Sequence, residues 1–248
     1  MSEYIDRELE FKKRIMDIEK RVRQNSNFCL LKFLDPRKQQ IIKETIKSPD
    51  IFVGFDGGFK DAEYKRCLIA PFCSESFRIK AFKIEYNHRF LELNHRIILG
   101  SLTSLGIERE TFGDIILCKN DFYIFVMEEI SDYIKMNLKT ISGKPISLEE
   151  ILPSDILVCI NYEEKNIFSS SLRLDSIIAQ AYQISREKSQ EMISLNLVKV
   201  NYKEITNNTY LVKENDLISV RKKGRFKILE FIGKTKSGKE NIKIGYVK

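Results

Sequence analysis

Between Ser171 and Arg225 the apolar period switches from that of a helix to that of a strand. Leu174, Ile177, Ile178 and Ala181 fall at i, i+3, i+4 and i+7, one face of an amphipathic helix. Ser185 is placed to cap a second helix from Arg186 to about Leu195, its hydroxyl accepting from a free backbone N–H. Leu197-Val198-Lys199-Val200-Asn201 then alternates as a half-buried strand with Lys199 outside. Asn207-Asn208 marks a turn, Lys213 to Asp216 is polar, and Leu217 to Arg221 starts another strand. Two further strands flank a Lys236-Ser237-Gly238 turn. The pattern allows two short helices followed by a small twisted sheet, and little else.

The same stretch carries the chain's excess charge. From Ser170 to Lys248 there are 16 Lys and Arg against 8 Asp and Glu; the other 169 residues hold 26 against 27. A net positive charge confined to one module is the footprint of nucleic-acid binding, because each cation that neutralises a phosphate releases a condensed counterion. Arg221, Lys222, Lys223 and Arg225 flank Gly224 and could track a phosphate backbone.

Arg173-Leu174-Asp175, Ser185-Arg186, Val198-Lys199-Val200-Asn201, and Asp216 with Ile218 and Val220-Arg221 resemble, in the right order, the S-four RNA-binding domain found in a small-subunit ribosomal protein and many RNA enzymes. In that family the N-terminal ends of the two helices and the adjoining loops face RNA. The resemblance therefore implies RNA contacts at Arg173, Ser185, Arg186, Lys188, Ser189, Lys199 and Asn201, joined by the cations of 221–225. Helix N-termini favour phosphate through free N–H groups and the dipole, which agrees. Asp175 is read as orienting a neighbouring Arg or capping a helix. Arg-Leu-Asp is also the catalytic triplet of pseudouridine synthases, but here no large catalytic domain follows it.

The remaining chain bounds the reading. It has 248 residues, 43% apolar and 31% charged, room for two or three small domains. No run of eighteen apolar residues suggests a transmembrane helix, and the charged first residues do not resemble a signal peptide. Cys29, Cys67, Cys73, Cys118 and Cys159 show no metal-ligand spacing and suit reduced thiols in a cytoplasmic protein. Residues 1–48 read as helical, with Ile5, Leu9 and Met16 on the apolar side of the first helix and Asp35-Pro36 opening the second. Strands follow at 50–59 and near 66–72. From Phe77 to Tyr162 the order strand, helix, strand, strand, helix, strand predicts a ferredoxin-like, RRM-like plait, with Lys119-Asn120-Asp121 as a hairpin turn and Asp155 to Tyr162 as the last strand. The expectation is an α+β chain in three parts: an N-terminal helical α/β region at 1–75, an RNA-binding plait at 76–168, and a small αββ S-four domain at 169–248.

Three N-terminal patterns extend the resemblance to nearly the whole chain, which is similar to the YlmH family of bacterial proteins. They are Gly57-Gly58 with Ala62-Glu63 and Lys65-Arg66; His95-Arg96 with Leu99-Gly100; and Gly106-Ile107 with Arg109-Glu110 and Gly113-Asp114-Ile115. Tyr64 stands where the pattern leads one to expect Arg, and Ile97 where Asp follows His-Arg; both are read as packing or inter-domain positions. The resemblance implies RNA binding, association with the large ribosomal subunit and its rRNA, contact with peptidyl-tRNA, and a role in ribosome-associated quality control, with a cell-division link as the alternative.

No enzyme chemistry is predicted. His88 and His95 lack companion ligands for a metal. Gly54-Phe55-Asp56-Gly57-Gly58 lacks the Lys-Ser/Thr of a phosphate loop. Cys67 and Cys118 read as small buried hydrophobes. A nucleophile pair or donor-binding loop for an RNA-modifying enzyme is not evident, so no cofactor, catalytic residue or small-molecule substrate is expected. Phe122, Tyr123 and Phe125 on a plait strand could stack bases, but alternation must bury Phe122 with Ile124 or Tyr123 with Phe125.

Overall fold

The computed structural model describes residues 2–72, 75–118, 120–153, 156 and 162–247. The chain divides into two units, Met1–Cys159 and Ile160–Lys248.

The first unit begins with α1 (Ser2–Asn25), β1 (Cys29–Leu30), α2 (Pro36–Thr45), β2 (Phe52–Asp56) and β3 (Arg66–Ala70). Asp35 caps α2 as its sequence suggests, accepting from the Lys38 N–H at 2.9 Å with Pro36 at the first helical position. The buried side of α1 is Ile15, Ile18 and Val22 with Phe11 half-buried, whereas Leu9 and Met16 are each 50% exposed. The expected face was therefore the wrong one: two apolar stripes run along this helix, and α2 with the three-stranded sheet β1-β3-β2 selects one.

The unit continues with β4 (Ile79–Tyr86), α3 (His95–Ser104), β5 (Phe112–Cys118), β6 (Asp121–Met127), α4 (Glu128–Asn137), β7 (Thr140–Ile141) and β8 (Lys144–Ile151). The sheet order β5-β6-β4-β8-β7, antiparallel throughout, contains the strand order of a ferredoxin-like plait. Its fourth strand is β8, not the expected strand beginning at Asp155. Most of that stretch lies outside the described residues, as does Lys119 of the expected hairpin turn.

Both faces of the plait are covered. Phe82, Ile84, Phe122, Ile124 and Val126 pack under α3 and α4 with Ile98, Leu102 and Ile134. On the other face Ala81, Phe125 and Met127 pack with Phe33, Phe59 and Tyr64 of the N-terminal region. The Phe59 and Phe125 rings lie 4.8 Å apart. So Phe122 and Phe125 are both core, and the strand offers no open aromatic platform.

This seam accounts for several residues of the N-terminal patterns, among them Gly58, Glu63, Gly113 and Asp114. Phe33 presses on Gly113, where an added Cβ would lie 2.7 Å from the ring. Gly58 adopts φ +93°, and its Cβ would meet Phe125 at 2.6 Å. Asp114 accepts from the Glu63 and Tyr64 N–H groups at 2.6 and 3.3 Å. Burial, chiefly, and the neighbouring Glu63 push its carboxyl up to about 6 against the pull of those N–H groups and Arg109. Tyr64 lies under the Arg109 guanidinium at 4.1 Å, and Ile97 packs against the plait core, so both departures from the family pattern are packing positions. Gly113→Ala is expected to destabilise the unit by about 1–3 kcal/mol through overpacking against Phe33, read as a lower thermal midpoint.

The second unit comprises β9 (Tyr162–Ser169), α5 (Leu174–Tyr182), α6 (Arg186–Ser194), β10 (Val198–Val200), β11 (Lys203–Glu204), β12 (Leu217–Val220), β13 (Gly224–Lys234) and β14 (Glu240–Val247). Its sheet has the order β11-β10-β12-β13-β14-β9. Leu174, Ile177, Ile178 and Ala181 are buried as their spacing requires, against Val198, Val200, Ile218, Phe226, Ile228, Ile242 and Ile244. The module is thus larger than the expected αββ domain starting at 169. Strand β9 belongs to it, paired along its length with β14. Only Ile167 and Ser169 of β9 are buried. Glu163, Glu164 and Lys165 protect an exposed edge, and a charged edge strand reads in sequence like a linker.

Candidate nucleic-acid interface

The two helix starts of the C-terminal unit are tied to one carboxylate. Asp175, in the first turn of α5, has no solvent exposure. It accepts from Arg173 Nε at 3.2 Å, Arg173 Nη2 at 3.3 Å, Arg186 Nε at 2.9 Å, Gln190 Nε2 at 2.7 Å and the Ser176 N–H at 2.8 Å. Burial acts to raise its pKa, but the hydrogen bonds from Gln190, Arg186 and Arg173 outweigh it and hold the carboxyl at about 2. Asp175 thus orients two arginines, in keeping with the first of its two expected roles. Gln190 completes the set and was missed; its signal was its position four residues after Arg186 on the same helix.

Both arginines stay accessible, with side chains 33% and 49% exposed. Arg173 is the N-cap residue of α5 and Arg186 the first residue of α6. Ser185 caps α6 through its hydroxyl, which accepts from the Lys188 N–H at 3.1 Å. The segment before α5 is anchored by the Leu174 N–H on Tyr210 O and the Val212 N–H on Leu172 O. Two cationic side chains therefore sit at two helix N-termini in a fixed relation, an arrangement that suits phosphate.

The other expected contact residues divide. Lys188 is exposed and pairs with Glu191 at 3.0 Å. Lys199 points outward from β10 and reaches Glu204 at 3.6 Å. Arg221, Lys222 and Lys223 form the exposed turn from β12 to β13, with Lys222 at φ 67° and Gly224 at φ 111°. Arg225 is half-buried, with Nη1 3.4 Å from the Tyr202 hydroxyl. Two residues do not fit the expected role. Ser189 is fully buried on the inner side of α6, so its hydroxyl cannot meet RNA. Asn201 spends its amide inside the domain, donating to Asp216 Oδ1 at 2.7 Å and accepting from the Leu217 N–H at 2.9 Å. It closes the end of β10 instead of presenting to a ligand.

Cys67 and Cys118 are buried, and burial pushes the Cys67 thiol up. Among the described residues no helix is long and apolar enough to cross a membrane.

Comparison with known proteins agrees with this geometry. Residues 73–155 match the model of the RNA-binding domain in YlmH, and residues 172–218 match that of the S4 domain. The ribosome-associated protein quality control protein P2 of Bacillus subtilis is 34% identical over 241 residues, spanning 95% of this chain and 91% of the relative. The chain belongs to the YlmH family. A solved structure, the cell division protein ylmH from Streptococcus pneumoniae, aligns with a TM-score of 0.51 at 31% identity, covering 58% of this chain and 91% of that one. The YlmH RNA-binding match falls on the plait and the S4 match on α5 through β12, so the family's two RNA-binding modules sit in separate units of the fold.

Proposed function

We propose that this YlmH-family protein is a non-enzymatic RNA-binding factor that docks on the large ribosomal subunit, contacting rRNA and peptidyl-tRNA during ribosome-associated quality control. The observation that carries the proposal is the pair Arg173 and Arg186, held at two helix N-termini by Asp175 in an S4 domain. The Bacillus subtilis relative, whose name describes it as ribosome-associated, supports the choice of target. The mechanism is placement. The arginines and the 221–223 turn neutralise phosphates, and the fixed helix ends read the shape of a folded RNA. The contacts lie at Arg173, Arg186, Lys188, Lys199, Arg221, Lys222, Lys223 and Arg225, with the Ser185 cap shaping the start of α6.

Co-sedimentation of the purified protein with ribosomal subunits across a salt series tests this. Salt-sensitive binding to the large subunit is expected. Replacing Lys222 and Lys223 together by alanine should lower the slope of log affinity against log salt by about 2, one for each lost phosphate contact. No subunit binding at low salt would remove the ribosome from the account. A second reading, a division-linked adaptor, draws on the similarity to the Streptococcus pneumoniae cell division protein; partners that remain bound after RNase treatment would favour it.

A further inference from the structure

One end of the plait gathers exposed cations. The pairing of Tyr86 with Ile146 and Cys118 with Asp121 puts the loop after β4, the β5–β6 turn and the β7–β8 hairpin at one end. Glu128, Glu129 and Asp132 of the first turns of α4 lie toward the other, where Arg66 pairs with Glu129. The first end carries Arg89, Arg96, Lys139 and Lys144, all exposed, and among the described residues none of them makes an ion pair. Glu85 and Asp121 there are both engaged by Lys83, at 2.6 and 3.2 Å, which leaves Glu92 as the exposed carboxylate of the loop.

The same loop holds Phe90 in water. Phe90 is 70% exposed, while Leu91 and Leu93 on either side of Glu92 are buried in the plait core. The backbone beneath it is fixed: the Phe90 and Leu91 N–H groups both donate to Asn87 O at 3.1 Å, and the Arg89 N–H donates to Asn87 Oδ1 at 3.0 Å. The His88 ring lies tilted against Tyr86, with centroids 4.2 Å apart. A single exposed phenylalanine is ordinary on a protein surface. A phenylalanine held outward by a pinned turn, beside exposed cations that make no ion pair among the described residues, is the composition of a single-strand binding platform.

The usual platform of such a plait, its open sheet face, is closed here by Phe33, Phe59 and Tyr64. An RNA that uses this domain must approach elsewhere. We infer that the end of the plait bearing Arg89, Phe90, Arg96, Lys139 and Lys144 is a second RNA-contact surface that takes an unpaired stretch of RNA, with one base stacked on Phe90. The inference rests on the RNA-binding reading above and adds the place and the strandedness of the contact.

Anisotropy of a fluorescent single-stranded oligoribonucleotide and of an RNA duplex, titrated with the full-length protein at several salt concentrations, provides the test. Phe90→Ala should weaken single-strand binding about tenfold with little change for the duplex, and Phe90→Trp should retain it. Arg89→Ala and Lys144→Ala should each reduce the salt slope by about 1, whereas Phe90→Ala should leave it unchanged. All these side chains are exposed, so unchanged thermal midpoints serve as the folding control. Wild-type single-strand affinity in Phe90→Ala, Arg89→Ala and Lys144→Ala, with Arg186→Ala still impaired on the large subunit, overturns this inference and leaves the S4 reading intact. If Phe90→Leu binds like the wild type, the site is an apolar contact and the stacking proposal fails. A wild-type chain that binds neither RNA nor subunits removes both readings.

Discussion

Arg66→Met is expected to destabilise the N-terminal unit by about 1–3 kcal/mol, because it removes a buried guanidinium whose hydrogen bonds tie the chain after β1 to α4, while its partner Glu129, 43% exposed, can return to water. The Arg66 side chain is 2% exposed. Its Nε donates to Leu31 O at 3.1 Å, Nη1 to Arg78 O at 2.9 Å, and Nη1 and Nη2 to the two Glu129 oxygens at 3.1 Å each. One guanidinium thus joins β3, the chain after β1, the start of β4 and the first turn of α4. Burial alone would raise the Glu129 carboxyl, but the hydrogen bonds from Arg66 hold it below the usual carboxylate range. Methionine fills much of the volume yet leaves the Leu31 carbonyl without its guanidinium donor, at about 1–3 kcal/mol for a group that stays dry, whereas the Arg78 carbonyl keeps the Glu128 N–H. Arg66→Lys should recover little, since a single ammonium cannot match a planar fork across three acceptors. Urea unfolding followed by a probe in the plait should show a lower midpoint at an unchanged m-value. A loss below about 1 kcal/mol would place Arg66 among the buried ion pairs that an apolar side chain replaces without cost.

Arg66 also shows why the N-terminal unit was harder to read than the C-terminal one. Its partner Glu129 lies 63 residues away, and nothing local in Lys65-Arg66-Cys67 marks the arginine as buried. The C-terminal module declared itself through local signals: the Leu174 to Ala181 stripe, the Ser185 cap and the alternation around Lys199 each act within one or two turns of chain. Where the signal was not local, the reading failed or stopped short. Both stripes of α1 are apolar enough, and only contact with α2 and β3 selects the one through Ile15 and Ile18. Strand β9 carries a linker's charges because it is an edge. Ser189 belongs to a motif that points to RNA, while its position among inward-facing residues of α6 puts it in the core. The plait was legible as a sequence of elements, but the covering of its second face by Phe33 and Phe59 was not. That cover leaves the end of the sheet, not its face, open to a ligand.

The sharpest separation of charge from geometry at the S4 surface comes from Asp175. Asp175→Asn removes a negative charge beside Arg173 and Arg186, so Coulomb attraction alone makes it a tighter RNA binder. If the carboxylate works by aiming the two guanidiniums, the variant is a weaker one. We expect weaker binding. A neutral amide loses the charge-assisted hydrogen bonds that now come from Arg173, Arg186 and Gln190, and both arginines regain rotamer freedom that docking must then remove. The salt slope should stay the same or steepen while affinity falls; tighter binding at every salt concentration would show the arginines to be plain charges. The fold reports the same residue independently. With Asp175 held at about 2, below its ordinary 3.8, its stabilisation is fully present above the ordinary value and is lost as pH falls through about 2. That contribution is on the order of 2 kcal/mol. Acid titration of the wild type between pH 4 and 2 should therefore show a loss of stability that Asp175→Asn, already destabilised by a similar amount at neutral pH, largely lacks. If the two proteins instead lose stability in parallel over that window, the hub is not what holds α5 to α6.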